Sequence, residues 1–231
     1  MLPNIQKAGQ MMAQWRTAFK MGQGDVRGLA DQINYLGNTG PANAKKISEI
    51  VTRIGPLGEV SGVASGQIAA LGATVAGMGI GPEIAATGIK NMMLALNAGS
   101  SATKSQLKAF DALGLSAEDM AKRMQVDASG AITEVLQKIR ELPKEEQAAA
   151  LDNLFGKESI AAIAPLLTNM EKLQENLRKV GDQTKYVGSM EKEYASRAAT
   201  TANNKQLLIN RYNRISTTIG NVFLPVMNMA M

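Results

Sequence analysis

Apolar residues recur at three- and four-residue steps over nearly the whole 231-residue chain, and that period commits it to helices. Val26, Leu29, Ala30, Ile33 and Leu36 form one stripe, with Asp25 placed as a cap and Gly37 as a stop. Ile47, Ile50, Val51 and Ile54 form a second, closed by Gly55 and Pro56. β-branched alternation never lasts four residues, so no strands are expected. The spacing predicts an all-α chain of short-to-medium helices joined by glycine turns, with a longer C-terminal helical hairpin. The 22 glycines and seven prolines forbid a single straight helix. At 231 residues such a helix would span about 350 Å.

Residues 60–82 carry no charge, a length that would suit a membrane span. Six glycines and Gln67 interrupt that run, so it is rich in small residues rather than uniformly greasy. Gly58, Gly62 and Gly66 put a small residue at every fourth position, which lets helices approach closely. Tight packing in a folded domain is the preferred reading, and a membrane-active role led by residues 60–96 is the alternative. A short repeat runs through the same region: QIAALG at 67–72 matches EIAATG at 83–88, each after a glycine-rich turn. A third copy, GLSAEDMA, begins at Gly114, with Ser116 and Asp119 at capping-box spacing. These copies are expected to be recurrent helix–turn–helix joints, too short and irregular for a solenoid.

Ile132, Val135, Leu136 and Ile139 mark a further helix ending before Pro143, and Leu151, Leu154 and Phe155 share a face of the next. Ser159–Ala164 reads as a short helix interrupted at Pro165. Leu166, Met170, Leu173, Leu177 and Val180 then follow heptad spacing, as do Leu208, Tyr212, Ile215, Ile219 and Val222. Each seam lasts about two heptads, so intrachain packing stands beside coiled-coil association. The expected organisation is an N-terminal helix or linker over 1–24 and a compact multi-helix core over 25–156. A long helical hairpin, open to coiled-coil pairing, follows over 157–231.

The chain has no histidine and no cysteine. That excludes ordinary zinc, haem and iron–sulfur sites, disulfides, thiol nucleophiles and His-based triads. The expectation is no enzyme, no cofactor and no metal. Net charge is +5, but residues 1–99, 100–189 and 190–231 carry +3, −1 and +3, with no basic block. The nine aromatics do not interleave with Lys/Arg, so nucleic-acid binding by this segment is not expected. The start, MLPNIQKAGQ, lacks the charged and apolar regions of a signal peptide.

The apparent chemical motifs dissolve on inspection. GMGIGP at 77–82 fits neither GxGxxG nor the P-loop and follows no strand. Ser101 with Lys104, and Ser105 with Lys108, have SxxK spacing, yet no KTG or SDN element accompanies them. Glu145 and Glu146, adjacent on a helix, point apart and suit a helix start. The 14 methionines, clustered at 11–12, 92–93 and 227–231, read as adaptable core filler. Trp15 and Phe19 sit on a first helix whose partners the sequence does not disclose.

LFGKESIAAIAPLL at 154–167 resembles the conserved core region of bacteriophage tail tape measure proteins. The resemblance extends, in order, through LADQINYLGN (29–38), residues 47–80, EIAATGIKNMMLAL (83–96), ALGLSAEDMAKRM (112–124) and TIGNVFLPVMN (218–228). It implies a structural role in the virion tail of a phage or prophage, in tail length determination, tube assembly and genome ejection. Implied partners are copies of itself, tail tube and tail-tip proteins, tail assembly chaperones and, transiently, the host membrane. Implied locations are the tail lumen and, during assembly, the host bacterial cytoplasm. The positions carried over are Leu154, Phe155, Gly156 and Lys157, with Thr87, Gly88, Gly220 and Pro225. Their implied roles are structural: Gly156 a helix stop, Phe155 a core anchor, Pro225 the end of the last helix. Family members are usually several times longer, and the ending MNMAM reads as a chain continuing past residue 231.

Overall fold

The computed structural model describes residues 2–200 and 204–215, with side chains from residue 9 onward. Among the described residues there are helices and turns and no strand, an all-α fold. The first six helices are α1 (Leu2–Ala18), α2 (Gln23–Thr39), α3 (Ala44–Ile54), α4 (Leu57–Val60), α5 (Ser65–Gly77) and α6 (Pro82–Leu96). A 3-10 turn at Gly99–Ser101 leads to α7 (Lys104–Ala112), α8 (Ala117–Val126), α9 (Ala128–Glu141) and α10 (Lys144–Phe155). Then come α11 (Lys157–Thr168), α12 (Met170–Gly181), α13 (Gln183–Tyr186) and α14 (Ser189–Ala198), and residues 204–215 are also helical. The chain divides into a unit of residues 1–189 and a unit of residues 190–231.

The uncharged stretch becomes the centre of the first unit. α5 is buried from Ser65 to Ala76 except at Gln67, packed by α3, α12, α2, α6 and α11. A helix enclosed on every side needs no polar face, which is why its sequence lacks the stripe that α3 displays. α3 shows the opposite case. Asn43 caps its start by accepting the Lys46 N–H at 2.9 Å, Gly55 ends it at φ +51, and Ile47, Ile50, Val51 and Ile54 are all buried. α2 is longer than its stripe. Asp25 lies inside its first turn, accepting the Gly22 N–H at 3.1 Å, and the helix runs through Gly37 to Thr39.

The Gly58, Gly62, Gly66 row is not one helix face. Gly58 lies in α4, Gly66 in α5, and the chain turns between them at Gly62. Gly62 takes φ +71 and lies against the Met124 carbonyl, where a β-carbon has no room. The repeat is a real joint. Gly62, Gly79 and Gly114 all have positive φ, and helices α5, α6 and α8 each begin three residues later. At two of them the bond that closes the preceding helix is explicit, Val63 N–H to Gly58 O at 3.0 Å and Leu115 N–H to Phe110 O at 2.8 Å. Ser116 then caps α8 by accepting the Asp119 N–H at 3.3 Å.

Pro165 does not interrupt its helix. α11 continues through it to Thr168, because the carbonyl that loses its donor belongs to Ala161, an exposed residue that water can satisfy. The break comes at Asn169, whose side chain donates back to the Pro165 carbonyl at 3.0 Å. Leu166, Met170, Leu173 and Val180 of the first heptad seam are buried within the first unit, where α12 packs on α5, α2 and α9. Asn176, on the same helix, donates to Thr74 Oγ1 of α5 at 2.9 Å, giving that buried contact a fixed register. Trp15 is also buried and donates from Nε1 to Thr52 Oγ1 of α3 at 2.8 Å, tying α1 to the core. In the second unit Leu208, Tyr212 and Ile215 are exposed, while Ile219 and Val222 lie outside the described residues.

Candidate functional site

The residues singled out at 87–88 and 154–157 come from distant parts of the chain. The structure brings most of them to one junction, where α6 crosses the α10–α11 corner. α10 delivers Leu154 and Phe155 into the core, both buried. Gly156 alone separates the two helices, with φ +82 and ψ +153, a conformation essentially confined to glycine. Its N–H closes α10 on the Asp152 carbonyl at 2.9 Å, and its own carbonyl accepts the Ser159 N–H at 3.0 Å. The corner is therefore one residue long.

Gly88 meets α11 just beyond that corner. A β-carbon there would stand 2.5 Å from Ala162 Cβ and 3.3 Å from the Ser159 carbonyl, so the two backbones touch directly. Ser159 is wholly buried. Its Oγ donates to the Phe155 carbonyl at 2.7 Å and accepts from Asn91 Nδ2 at 2.9 Å. Asn91 also donates to Glu158 Oε1 at 3.1 Å, so one amide bridges α6 to two consecutive residues of α11. From the other side, Gln106 of α7 donates to the Leu154 carbonyl at 3.1 Å and Ser105 donates to Asn153 Oδ1 at 2.8 Å. Thr87 and Lys157 are exposed and take no part in this contact, and Gly220 and Pro225 lie outside the described residues.

Sequence reasoning missed Asn91, Ser159 and Ala162. The usable signal was the run of small residues on α11, with Ser159 and Ala162 one turn apart facing the glycine. The arrangement positions backbone; it holds no nucleophile with a base. Ser101 Oγ donates to the Ala98 carbonyl at 2.7 Å and Ser105 Oγ is committed to Asn153, so neither SxxK serine donates to its lysine. Glu145 and Glu146 are exposed in the first turn of α10. Among the described residues no group of three or more carboxylates could hold a metal ion.

A groove of about 900 Å³ lies between α2, the start of α5, α9 and the end of α12, with Gln32, Ser65, Ser129, Leu177 and Tyr186 on its walls. Gln32 Nε2 bridges to the Val180 carbonyl at 2.9 Å and Gln67 Nε2 to Ser129 Oγ at 2.6 Å, so amides again join the helices. One carboxylate is clearly perturbed. Hydrogen bonds from Lys179 and Lys172, at 2.7 and 2.9 Å, hold the Glu175 carboxyl down to about 2. This is a surface clasp on α12. Among the described residues no helix is long and apolar enough to cross a membrane, and the charge-free stretch spends its apolar surface on neighbouring helices.

The crossing of α6 and α11 is thus built from a glycine, an alanine, a serine and a side-chain amide. The family model of phage-related minor tail proteins matches residues 2–156. The chain belongs to that family. A probable tape measure protein of Halomonas phage phiHAP-1 is 38% identical over 219 residues, which cover 95% of this chain and 25% of that protein. The chain thus spans about a quarter of the length of the curated relative it matches. No solved structure matches it significantly. The minor-tail-protein match ends at Gly156, the one-residue corner, whereas the compact unit continues through α11 and α12 to residue 189.

Proposed function

We propose that this chain is a non-enzymatic, folded structural segment of a tape measure protein, acting in the phage tail through helix–helix contacts. The observation that carries this reading is the 38% identity to a probable tape measure protein over 95% of the chain. In this reading it resides in the virion tail, is made in the host cytoplasm, and meets tube, tail-tip and assembly-chaperone proteins. The Gly88–Ala162 crossing and the Gly156 corner keep the first unit compact within the longer parent.

Compactness sets how much length the segment adds. A folded unit of 189 residues has a radius of gyration of about 16 Å, hence a diameter of about 40 Å. The same residues as one straight helix would span about 280 Å. Phage carrying an in-frame deletion of residues 1–189 in the parent gene, measured by negative-stain microscopy, should have tails shorter by about 40 Å. Shortening near 280 Å would mean that the unit is drawn out in the tail, against the folded role. Unchanged tail length would remove the segment from length determination.

A further inference from the structure

The chain leaves the first unit in two stages. As far as residue 180, α12 is fixed to α2: Val180 is buried, and its carbonyl accepts Gln32 Nε2 at 2.9 Å. The eight residues 182–189 are held differently. Tyr186 alone among them is buried, while Val187 is 58% exposed. α2 grips the far end through polar groups, with Asp31 Oδ2 accepting the Gly188 N–H at 3.0 Å and Asn34 Oδ1 accepting Ser189 Oγ at 2.6 Å. A glycine stands at each end of the segment. A β-carbon on Gly181 would meet nothing within 4 Å, and Gly188 takes φ +76.

Regions with few buried apolar contacts open before the core does. α12 buries Met170, Leu173, Asn176 and Val180, whereas residues 182–189 rest on one aromatic ring and polar bonds at the surface. Gln183, Tyr186 and Val187 also border the groove of about 900 Å³, so on that flank the segment faces open space instead of packing. Peeling from Ser189 would release Asn34, then Asp31, then Tyr186, and would arrest where Gln32 holds Val180. We propose that residues 182–189 form a releasable strap, which detaches from α2 while α12 and the core stay folded. Eight extended residues span up to about 28 Å, whereas the four-residue helix α13 is about 6 Å long. The strap is thus a reserve of length at the exit of the first unit, and its release removes one wall of the groove. It rests on contacts within the first unit alone and does not depend on the tail role proposed above.

Amide hydrogen exchange of the full 231-residue chain, resolved by NMR, tests this. The Gly188 N–H, held by Asp31, should be at least tenfold less protected than the amides of α5. Its exchange should not respond to low urea, because release exposes little surface, whereas exchange in α5 should accelerate. Ile89→Val trims a fully buried side chain of α6 and should lower protection in α5 by about two- to tenfold. It should leave Gly188 unchanged, since the core is intact on both sides of the strap equilibrium. Tyr186→Ala removes the anchor, so Gly188 should lose its protection while the α5 amides remain protected. If Gly188 and α5 share one protection level and one urea dependence, the strap opens only with the whole unit and the proposal fails. It fails equally if Ile89→Val accelerates Gly188 as much as α5, if Gly188 stays protected in Tyr186→Ala, or if that variant unfolds the chain.

Discussion

Gly88→Ala and Gly28→Ala add the same methyl group to two helical glycines and should move stability in opposite directions. At Gly28, inside α2, an added β-carbon meets nothing within 4 Å. Replacing glycine there should stabilise by about 0.5–1 kcal/mol through backbone entropy alone. Gly88 receives the same gain, but its β-carbon would stand 2.5 Å from Ala162 Cβ, where carbon atoms settle at about 3.5–4.0 Å. α11 must retreat by about 1 Å from a helix it is hydrogen-bonded to through Asn91 and Ser159. Overpacking of that kind costs about 1–3 kcal/mol, which outweighs the entropic gain. The two variants should therefore differ by about 1–3 kcal/mol. In thermal melts, at about 2–4 °C per kcal/mol for a protein of this size, that is a separation of roughly 2–12 °C. Ala162→Gly removes the atom that is struck, so a double-mutant cycle with Gly88→Ala should show a favourable coupling of about 1 kcal/mol or more. If Gly88→Ala melts at or above the parent, or the coupling is within about 0.5 kcal/mol of zero, the backbone contact at this junction is not what the reasoning requires.

Gly62→Ala should be the more severe glycine variant, because it combines a left-handed backbone with collision against the Met124 carbonyl; urea titration should show a loss above about 2 kcal/mol. Asn176→Ala should cost about 1–3 kcal/mol by removing the buried donor to Thr74. Asn176→Leu combined with Thr74→Val should recover most of that in the same titration, since no polar partner is then stranded. Glu175 has a depressed folded-state pKa, so its contribution is present above its unfolded value of about 4.3 and is lost as pH falls toward about 2. Melting temperature against pH should therefore fall less steeply between about 4.5 and 2 in Glu175→Gln than in the parent. At neutral pH the same variant should lose at most about 1 kcal/mol, because the carboxylate is 43% exposed and screened by water.

Elements that carry their own punctuation were legible in the sequence. α3 has one apolar stripe and a glycine stop, and its burial follows from spacing alone; the structure adds Asn43 as its cap. α5 hid its role for the converse reason: burial on every side removes the polar face that periodicity depends on, leaving a run open to a membrane reading. Pro165 misled because the rule against internal proline concerns an unsatisfied carbonyl, and whether Ala161 faces water is a tertiary fact. The junction was half legible. Gly156 stands out as a break between two stripes, but Gly88 acquires meaning only from Ala162 and Ser159, and Asn91 bonds a serine 68 residues away. No local pattern encodes that distance.

The extent of the family match and the extent of the folding unit differ, and the difference has a physical basis. Cut at Gly156, the chain would keep α5 and α6 but lose the two helices that cover them. Thr74 would lose Asn176, and Gly88 would lose the surface against which its missing side chain matters. A helix as apolar as α5 cannot present a bare face to water without creating an association patch. The family match over 2–156 thus stops short of α11 and α12, while the compact unit includes both. Within the first unit, the residues beyond Gly156 act less as an appended rod than as the closing wall of the core that precedes them.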